Sequence, residues 1–340
     1  LRQPDTTTNI KELRNLQYIV DENHWSLSCP QRIREHALQT ARNAVGNAKK
    51  KFKTTGKVQQ VSFRKKKDNR QFFGFDTVSI KIENGKGKIF SGKDNQISFR
   101  LSEDLQQKDL LQEGCRIWYD TTLKHWYLLV PQEIPIKKPE TQRFLAVSID
   151  PGVRTFVTYF SPECSGYIGD GDFNKITRLC HSLDMICSKI SKLKGKENAK
   201  KKSSHKRAKA RIINKIKNLL QDIHKKTASF LVKNFDNIII PTYNAMQMAI
   251  KVNSKVARSL LNWATGKFFE FLKFKAKEYS CNIIQESEAY TSKCCSYCGT
   301  LHNIGSKKVL RCSCGATVHR DGNGARGFML RALMALRPSV

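Results

Sequence analysis

Two kinds of period run along this chain, and they change places near residue 140. Between residues 58 and 135, short apolar runs alternate with polar positions: VQQVSFR (58–64), TVSIKIE (77–83), GKIFSG (87–92), QISFRL (96–101), CRIWYD (115–120) and HWYLLVP (125–131). A period of two puts successive side chains on opposite faces of a strand. Asn84-Gly85 and Gly92 supply turn chemistry between the runs. Six short punctuated strands predict a small barrel or antiparallel sheet over residues 58–138. One more strand is expected in LQYIVDENHW (16–25), within an opening β segment over residues 1–28. Between them, residues 29–52 predict a helix, because Ile33, Ala37, Ala41, Ala44 and Ala48 recur at helical spacing. Pro30 sits where a first-turn proline is tolerated.

The stretch PIKKPETQ (135–142) carries two prolines and marks a domain boundary. Beyond it, RFLAVSIDPGVRTFVTYF (143–160) reads as strand, turn, strand. Phe144, Ala146, Ser148 and Asp150 share one face there, and Leu145, Val147 and Ile149 the other. Residues 172–234 predict a helical hairpin with stripes at Leu183, Ile186, Ile190, Leu193 and at Ile213, Ile216, Leu220, Ile223. NIIIP (237–241) and NIIQ (282–285) predict short strands around an amphipathic helix over 254–280. A last helix is expected from Asn323 to Leu336. Strands interleaved with helices indicate an α/β domain.

Charge narrows the partners. Lys and Arg number 61 and Asp and Glu 29, a net charge of +32. Such an excess repels itself unless a polyanion neutralises it, and nucleic acid is the partner expected. A ribosomal-type protein or a membrane-surface binder are the blander readings. Thirteen Lys/Arg against one acid, Glu197, fall in residues 189–217. Lys200, Lys201, Lys202, Lys206, Arg207 and Arg211 are therefore candidate phosphate contacts. Lys65, Lys66, Lys67 and Arg70, in FRKKKDNRQ (63–71), are another set, although edge-strand lysines also serve to block aggregation. No apolar run is long enough to span a membrane.

Of 11 cysteines, five lie between Cys294 and Cys314. An odd count with one tight cluster argues for a reducing compartment and a metal site rather than a disulfide scaffold. Cys295, Cys298, Cys312 and Cys314 form two knuckles separated by thirteen residues, as for a structural zinc ion. The second knuckle is Cys-x-Cys, one residue shorter than usual, and Cys294 is a spare. Four thiolates leave no open coordination position, so this zinc is expected to be structural.

Carboxylates are scarce, and two stand at suggestive places. Asp150 ends a strand before Pro151-Gly152, and Asp321 precedes the last helix in HRDGNGARG (319–327). Taken alone, an Asp before a turn or at a helix start is more often structural. Phosphodiester hydrolysis with two metal ions, however, needs several converging carboxylates, and magnesium prefers oxygen ligands.

Three segments carry a family likeness. SIDPGVRTFVTYF (148–160), EAYTSKCCSYCG (288–299) and HRDGNGARGFMLRAL (319–333) resemble the three RuvC-type motifs and inserted zinc ribbon of TnpB and Fanzor nucleases, relatives of type V CRISPR effectors. The resemblance covers roughly residues 143–337. It implies an α/β RNase H-like (RuvC) domain over 139–291, a zinc ribbon over 292–318, and a final motif and helix over 319–340. In front it implies, in outline only, a helical recognition segment (29–57) and a β-barrel wedge domain (58–138). It also implies a transposon-associated, RNA-guided DNA endonuclease using Mg2+, in which pairing to a guide (omega) RNA selects the target double-stranded DNA. The expected assembly is a monomeric ribonucleoprotein, nuclear in a eukaryote and cytoplasmic for a viral or bacterial source.

One departure matters. TnpB-like sequences carry a glutamate after the strand that corresponds to NIIIPTYN (237–244), yet here no acid occurs between Asp236 and Glu270. Fanzor proteins are similar in placing a glutamate before AYTSK, which is Glu288. Catalytic and magnesium-binding roles are thus implied for Asp150, Glu288 and Asp321, with Glu286, of the same strand parity, as alternative. Lys293, Arg320 and Arg326 flank the motifs as candidate phosphate contacts, with Asp150 as another partner for Arg326 and an ordinary helix-surface place as its blander reading, and Asn323 as a helix cap. Trp118, Trp126 and Tyr127 are read as core aromatics or base-stacking residues. A guide-free RNase H-like resolvase or transposase, and an inactive nucleic-acid-binding ribbon protein, remain as other readings.

Overall fold

The computed structural model describes residues 25–62, 65, 68, 70–90, 96–110, 114–121, 123–152, 155–242, 263–287, 291, 293–305 and 307–335. The chain divides between Glu133 and Ile134 into two compact units.

In the first unit, helix α1 (Gln31–Thr55) ends at Gly56, whose positive φ closes the last turn. Strands β1 (Arg70–Phe75), β2 (Ile80–Glu83), β3 (Lys86–Ile89), β4 (Ile97–Arg100), β5 (Cys115–Asp120) and β6 (His125–Leu129) follow. They pair as two antiparallel three-stranded sheets, β1-β5-β6 and β2-β3-β4, rather than as one closed barrel among the described residues. Asn84 and Gly85 both take positive φ in the β2–β3 turn, as a two-residue hairpin requires. The core gathers Phe75, Ile80, Ile82, Ile89, Cys115 and Ile117. The strand expected at 58–64 is not there over 58–62; the first strand lies at Arg70–Phe75. VQQV alternates without a partner, whereas Phe73 and Phe75 reach the core. The strand expected at 16–25 lies outside the described residues as far as residue 24, and Trp25–Ser28 form a 3-10 turn. The aromatics pair across strands, Trp118 stacked on Tyr127 at 4.8 Å and Tyr119 on Trp126 at 4.3 Å.

The second unit is built on a five-stranded sheet. Its strands are β7 (Phe144–Pro151), β8 (Val157–Phe160), β9 (Ser165–Ile168), β10 (Phe235–Pro241) and β11 (Asn282–Glu286), in the order β11-β10-β7-β8-β9. β7, β8 and β9 form an antiparallel meander, and β10 and β11 add parallel to β7. Helices α2 (Asp172–Lys192), α3 (Ala199–Asn234) and α4 (Thr265–Glu278) cover one face, where Val147, Ile149 and Ile240 pack with Leu231, Phe268 and Leu272. Helix α5 (Arg320–Ala335) covers the other, its Phe328, Met329 and Ala332 meeting Ile239, Ala146, Phe160 and Ile284. Sheet faces alternate as the sequence predicts, and β7 is apolar on both sides because both are covered. Only Thr265–Glu278 of the long helix expected at 254–280 falls clearly in the described helix, residues 243–262 lying outside the description. Between β11 and α5, β12 (Val309–Arg311) and β13 (Thr317–His319) form an antiparallel hairpin. No described helix is long and apolar enough to cross a membrane.

Candidate active site

The last helix fixes the site. Ser148 Oγ donates to the Ala325 carbonyl at 2.7 Å, while Ala146, two residues earlier on β7, belongs to the cluster of Phe328, Met329 and Ala332. Moving toward the C-terminal end of β7 therefore moves toward the start of α5. Two strand residues advance about 6.7 Å and one helical turn of four residues about 6 Å. Asp150 and Asp321 are thereby carried to the same rim of the sheet, on the same face. Asp321 lies within the first turn of α5, not before it, since the helix begins at Arg320. An anion is favoured there by the helix dipole, by about 0.3–1 kcal/mol.

The register extends this rim sideways. Asp150 pairs with Thr158, and Thr158 with Tyr167. On the other side Ile239 pairs with both Ser148 and Ile284, and Pro241 with Glu286. Adding two residues to that register sets Glu286 level with Asp150 on the α5 face. Its carboxylate accepts from the Ser287 amide at 2.8 Å. Glu288 lies outside the described residues.

Tyr167, His319, Thr158 and Gly322 join the carboxylates, and none stood out in the sequence. His319 Nδ1 is 4.0 Å from Asp321 Oδ2, and the Tyr167 ring meets His319 edge to face at 5.4 Å. Burial, and then the charges of Asp321 and Asp170, push the Tyr167 phenol up, so it keeps its proton. Thr158 is 2% exposed, and its Oγ1 has no partner among the described residues. Strand register finds Thr158 and Tyr167, β9 carrying no strong apolar pattern, and side-chain contacts find His319 and Gly322. Carboxylates are the oxygen donors that a hard divalent cation takes, but among the described residues the group of His, Cys, Asp or Glu side chains drawn closely enough together to share one ion is the four-cysteine set, not this rim.

The ribbon is the second centre. The Sγ atoms of Cys295, Cys298, Cys312 and Cys314 all lie within 4.8 Å of one another. Cys298 is 3.4 Å from Cys312, and Cys295 is 3.8 Å from Cys314. Each knuckle turns on a glycine of positive φ, Gly299 and Gly315, whose amides donate to the Cys295 and Cys312 carbonyls. The short second knuckle thus still delivers both thiols, and the set fits a tetrahedral ion. Hydrogen bonding with the Thr300 side chain and backbone pulls the Cys298 thiol down to about 6. Cys314 is helped by the Ala316 amide but, bonded to Cys312 and Cys298, is pushed up to about 12. Cys294 instead donates to the Gly299 carbonyl. His302 Nε2 lies 3.2 Å from Cys312 Sγ, a contact the Cys spacing does not reveal.

Ribbon and helix are locked together, which reassigns three residues. Asn323 is no helix cap: it is 2% exposed, takes the Ser296 amide at 2.9 Å and donates to the Cys294 carbonyl at 2.7 Å. Arg326 does not turn to Asp150; it donates to the Ser296 carbonyl and lies 3.9 Å from the Tyr297 ring centre. Arg320 donates to the Gly305 carbonyl. Lys293 is exposed. On α3, Lys200, Lys201, Lys206, Arg207 and Arg211 are exposed, whereas Lys202 Nζ donates to the Leu193 carbonyl and closes the α2–α3 turn. Lys65 is exposed in the first unit; Lys66, Lys67 and the Arg70 side chain lie outside the described residues.

Comparison with known proteins fits this picture. Residues 266–328 match the family model "Cas12f1-like, TNB domain". The chain is 27% identical over 316 residues to a protein described as a candidate transposase, A625R of Paramecium bursaria Chlorella virus 1, covering 92% of this chain and 72% of that one. It is 27% identical over 238 residues to TnpB-like protein L79 of Acanthamoeba polyphaga mimivirus, covering 68% of this chain and 45% of that one, so it spans less than half of that relative. Its fold resembles Cas12f1 as solved with sgRNA and target DNA, with a TM-score of 0.59 at 15% identity, over 86% of this chain and 71% of that one. The chain is therefore similar to TnpB-like proteins and shares a fold with Cas12f1.

Proposed function

We propose that the chain is an RNA-guided DNA endonuclease of the Fanzor kind, in which Asp150, Asp321 and Glu288 hold Mg2+ and a guide RNA selects duplex DNA. What supports this reading is the packing of α5 along β7, which directs Asp150 and Asp321 toward one rim, together with a four-cysteine centre in a chain of net charge +32. Bound at such oxygen donors, magnesium would activate water and stabilise the leaving oxygen. The chain's own contribution is to set the carboxylates at fixed places: Asp150 on a strand covered on both faces, Asp321 in a helix pinned to β7 and to the ribbon. Zinc would be held by Cys295, Cys298, Cys312 and Cys314. The absence of an acid from 237 to 269 supports a relocated third carboxylate. Glu286, level with Asp150, is the alternative to Glu288. The exposed bases of α3 are assigned to the RNA and DNA backbones.

The decisive experiment measures cleavage of guide-matched DNA in Mg2+ by the purified ribonucleoprotein. Asp150→Ala and Asp321→Ala should each lower the rate by about a hundredfold or more. Glu288→Ala should do the same, while Glu286→Ala retains most activity. Equal cleavage by wild type and both Asp variants removes the nuclease reading. A preparation that cuts without any defined co-purified RNA removes guidance alone.

A further inference from the structure

The row that starts at Asp150 does not stop at Thr158. Tyr167 stands next in it, two strands and about 10 Å along. Its side chain is held from two directions. The ring abuts His319, and the phenol oxygen rests against the first turn of α5, where a Cβ on Gly322 would come within 3.2 Å of it. Gly322 is not among the residues of positive φ, so it supplies room for the phenol rather than a backbone conformation. Held in this way, Tyr167 still leaves 48% of its surface open.

The residue type suits its surroundings. Asp321 precedes Gly322, which faces the phenol, and Asp170 follows Tyr167 by three residues. A lysine or arginine at this place would pair with those carboxylates and compete with a bound cation. A neutral aromatic face avoids this and binds what a nucleic acid also offers beside its phosphates, the flat face of a base. Because the ring is already held, little side-chain freedom is lost when a base lands on it. Buried beside it, the Thr158 hydroxyl lacks a partner among the described residues, so the row's middle also holds unused hydrogen-bonding capacity.

We propose that Tyr167 is a substrate-contacting residue of this site, whose open ring face stacks on the base of a nucleotide next to the scissile phosphate and holds the strand along the carboxylate row. The inference rests on the nuclease reading for its location, but its test does not depend on cleavage.

The test uses the full chain with Ca2+ in place of Mg2+ and a single-stranded DNA oligonucleotide carrying 2-aminopurine. Wild type and Tyr167→Phe should quench the fluorophore, because both keep the ring. Tyr167→Val, a good strand former that keeps the edge strand intact, should lose the quench and bind about tenfold more weakly. In Mg2+ the Val variant should raise KM for DNA more than it lowers kcat. Zinc content and melting temperature check that both variants are folded, and Tyr167→Leu replaces Val if they differ. Equal quench and affinity in wild type and the ring-less variant overturn the proposal. A quench that persists in Asp321→Ala but vanishes in Asp321→Ala/Tyr167→Val supports it even where no strand is cut. Conversely, normal binding by Tyr167→Val alongside inactive Asp321→Ala leaves the nuclease and removes only the stacking contact.

Discussion

His224 is an ionisable ring in the middle of the larger core. It is 7% exposed, stacks on Phe156 at 5.1 Å, and through Nε2 donates to the Trp263 carbonyl at 2.9 Å. Burial pushes its pKa below the ordinary 6.5; the Trp263 bond opposes this and the Lys267 charge adds to it. A lowered histidine pKa means that the unfolded chain takes up a proton which the fold refuses. The contribution to stability is therefore complete above about pH 6.5 and erodes as pH falls below it. The urea midpoint should drop between pH 7.5 and pH 5.5, and His224→Phe should flatten that drop. Parallel curves for the two proteins would mean that His224 is not the group responsible. The sequence offers no hint of this role, since His224 reads as one more polar position on a basic hairpin. What buries it is α4, packed against α3 from a distant part of the chain.

At the scale of elements, the ribbon and α5 behave as one piece through Asn323, Arg326 and Arg320. Removing the Asn323 side chain leaves the Ser296 amide and the Cys294 carbonyl without their partner, a cost of about 1–3 kcal/mol. Asn323→Ala should therefore release zinc to a chelator faster than wild type, with a lower melting temperature. Unchanged zinc retention would show that the two elements are independent. Much of the element pattern was legible: β5, β6, β7 and the hairpin of α2 and α3 fall where periodicity puts them. The start of α5 was not, because Gly322, Asn323 and Gly324 are poor helix formers and contacts to β7 and the ribbon override them. β1 was misplaced for a related reason: Phe73 and Phe75 are its signal, and the basic run before it hides the alternation. The gathering of the four thiols was legible from local spacing, and Asp150 stood out by its place at a strand end, whereas Tyr167 and Thr158 join the candidate site only through strand register.

At the scale of the molecule, charge sets the behaviour. Thirteen Lys/Arg in residues 189–217 put much of the excess on one hairpin. Replacing the exposed Lys200, Lys201, Lys206, Arg207 and Arg211 by Gln should reduce the slope of log affinity against log salt. If each contacts a phosphate, the reduction is about 3.5 for single strands to 4.5 for duplex. Titrations between about 50 and 300 mM salt read this directly, and an unchanged slope takes the hairpin out of the interface. The bond from Ser148 to Ala325 spans 177 residues of chain. Contacts so remote in sequence carry a loop-closure entropy that slows folding. The register that directs Asp150 and Asp321 toward one rim thus depends on contacts between the first strand and the last helix of the second unit. A nascent chain still lacking α5 leaves that face of β7 uncovered, so whatever the rim does is acquired with the closing of the fold and not with the synthesis of any single motif.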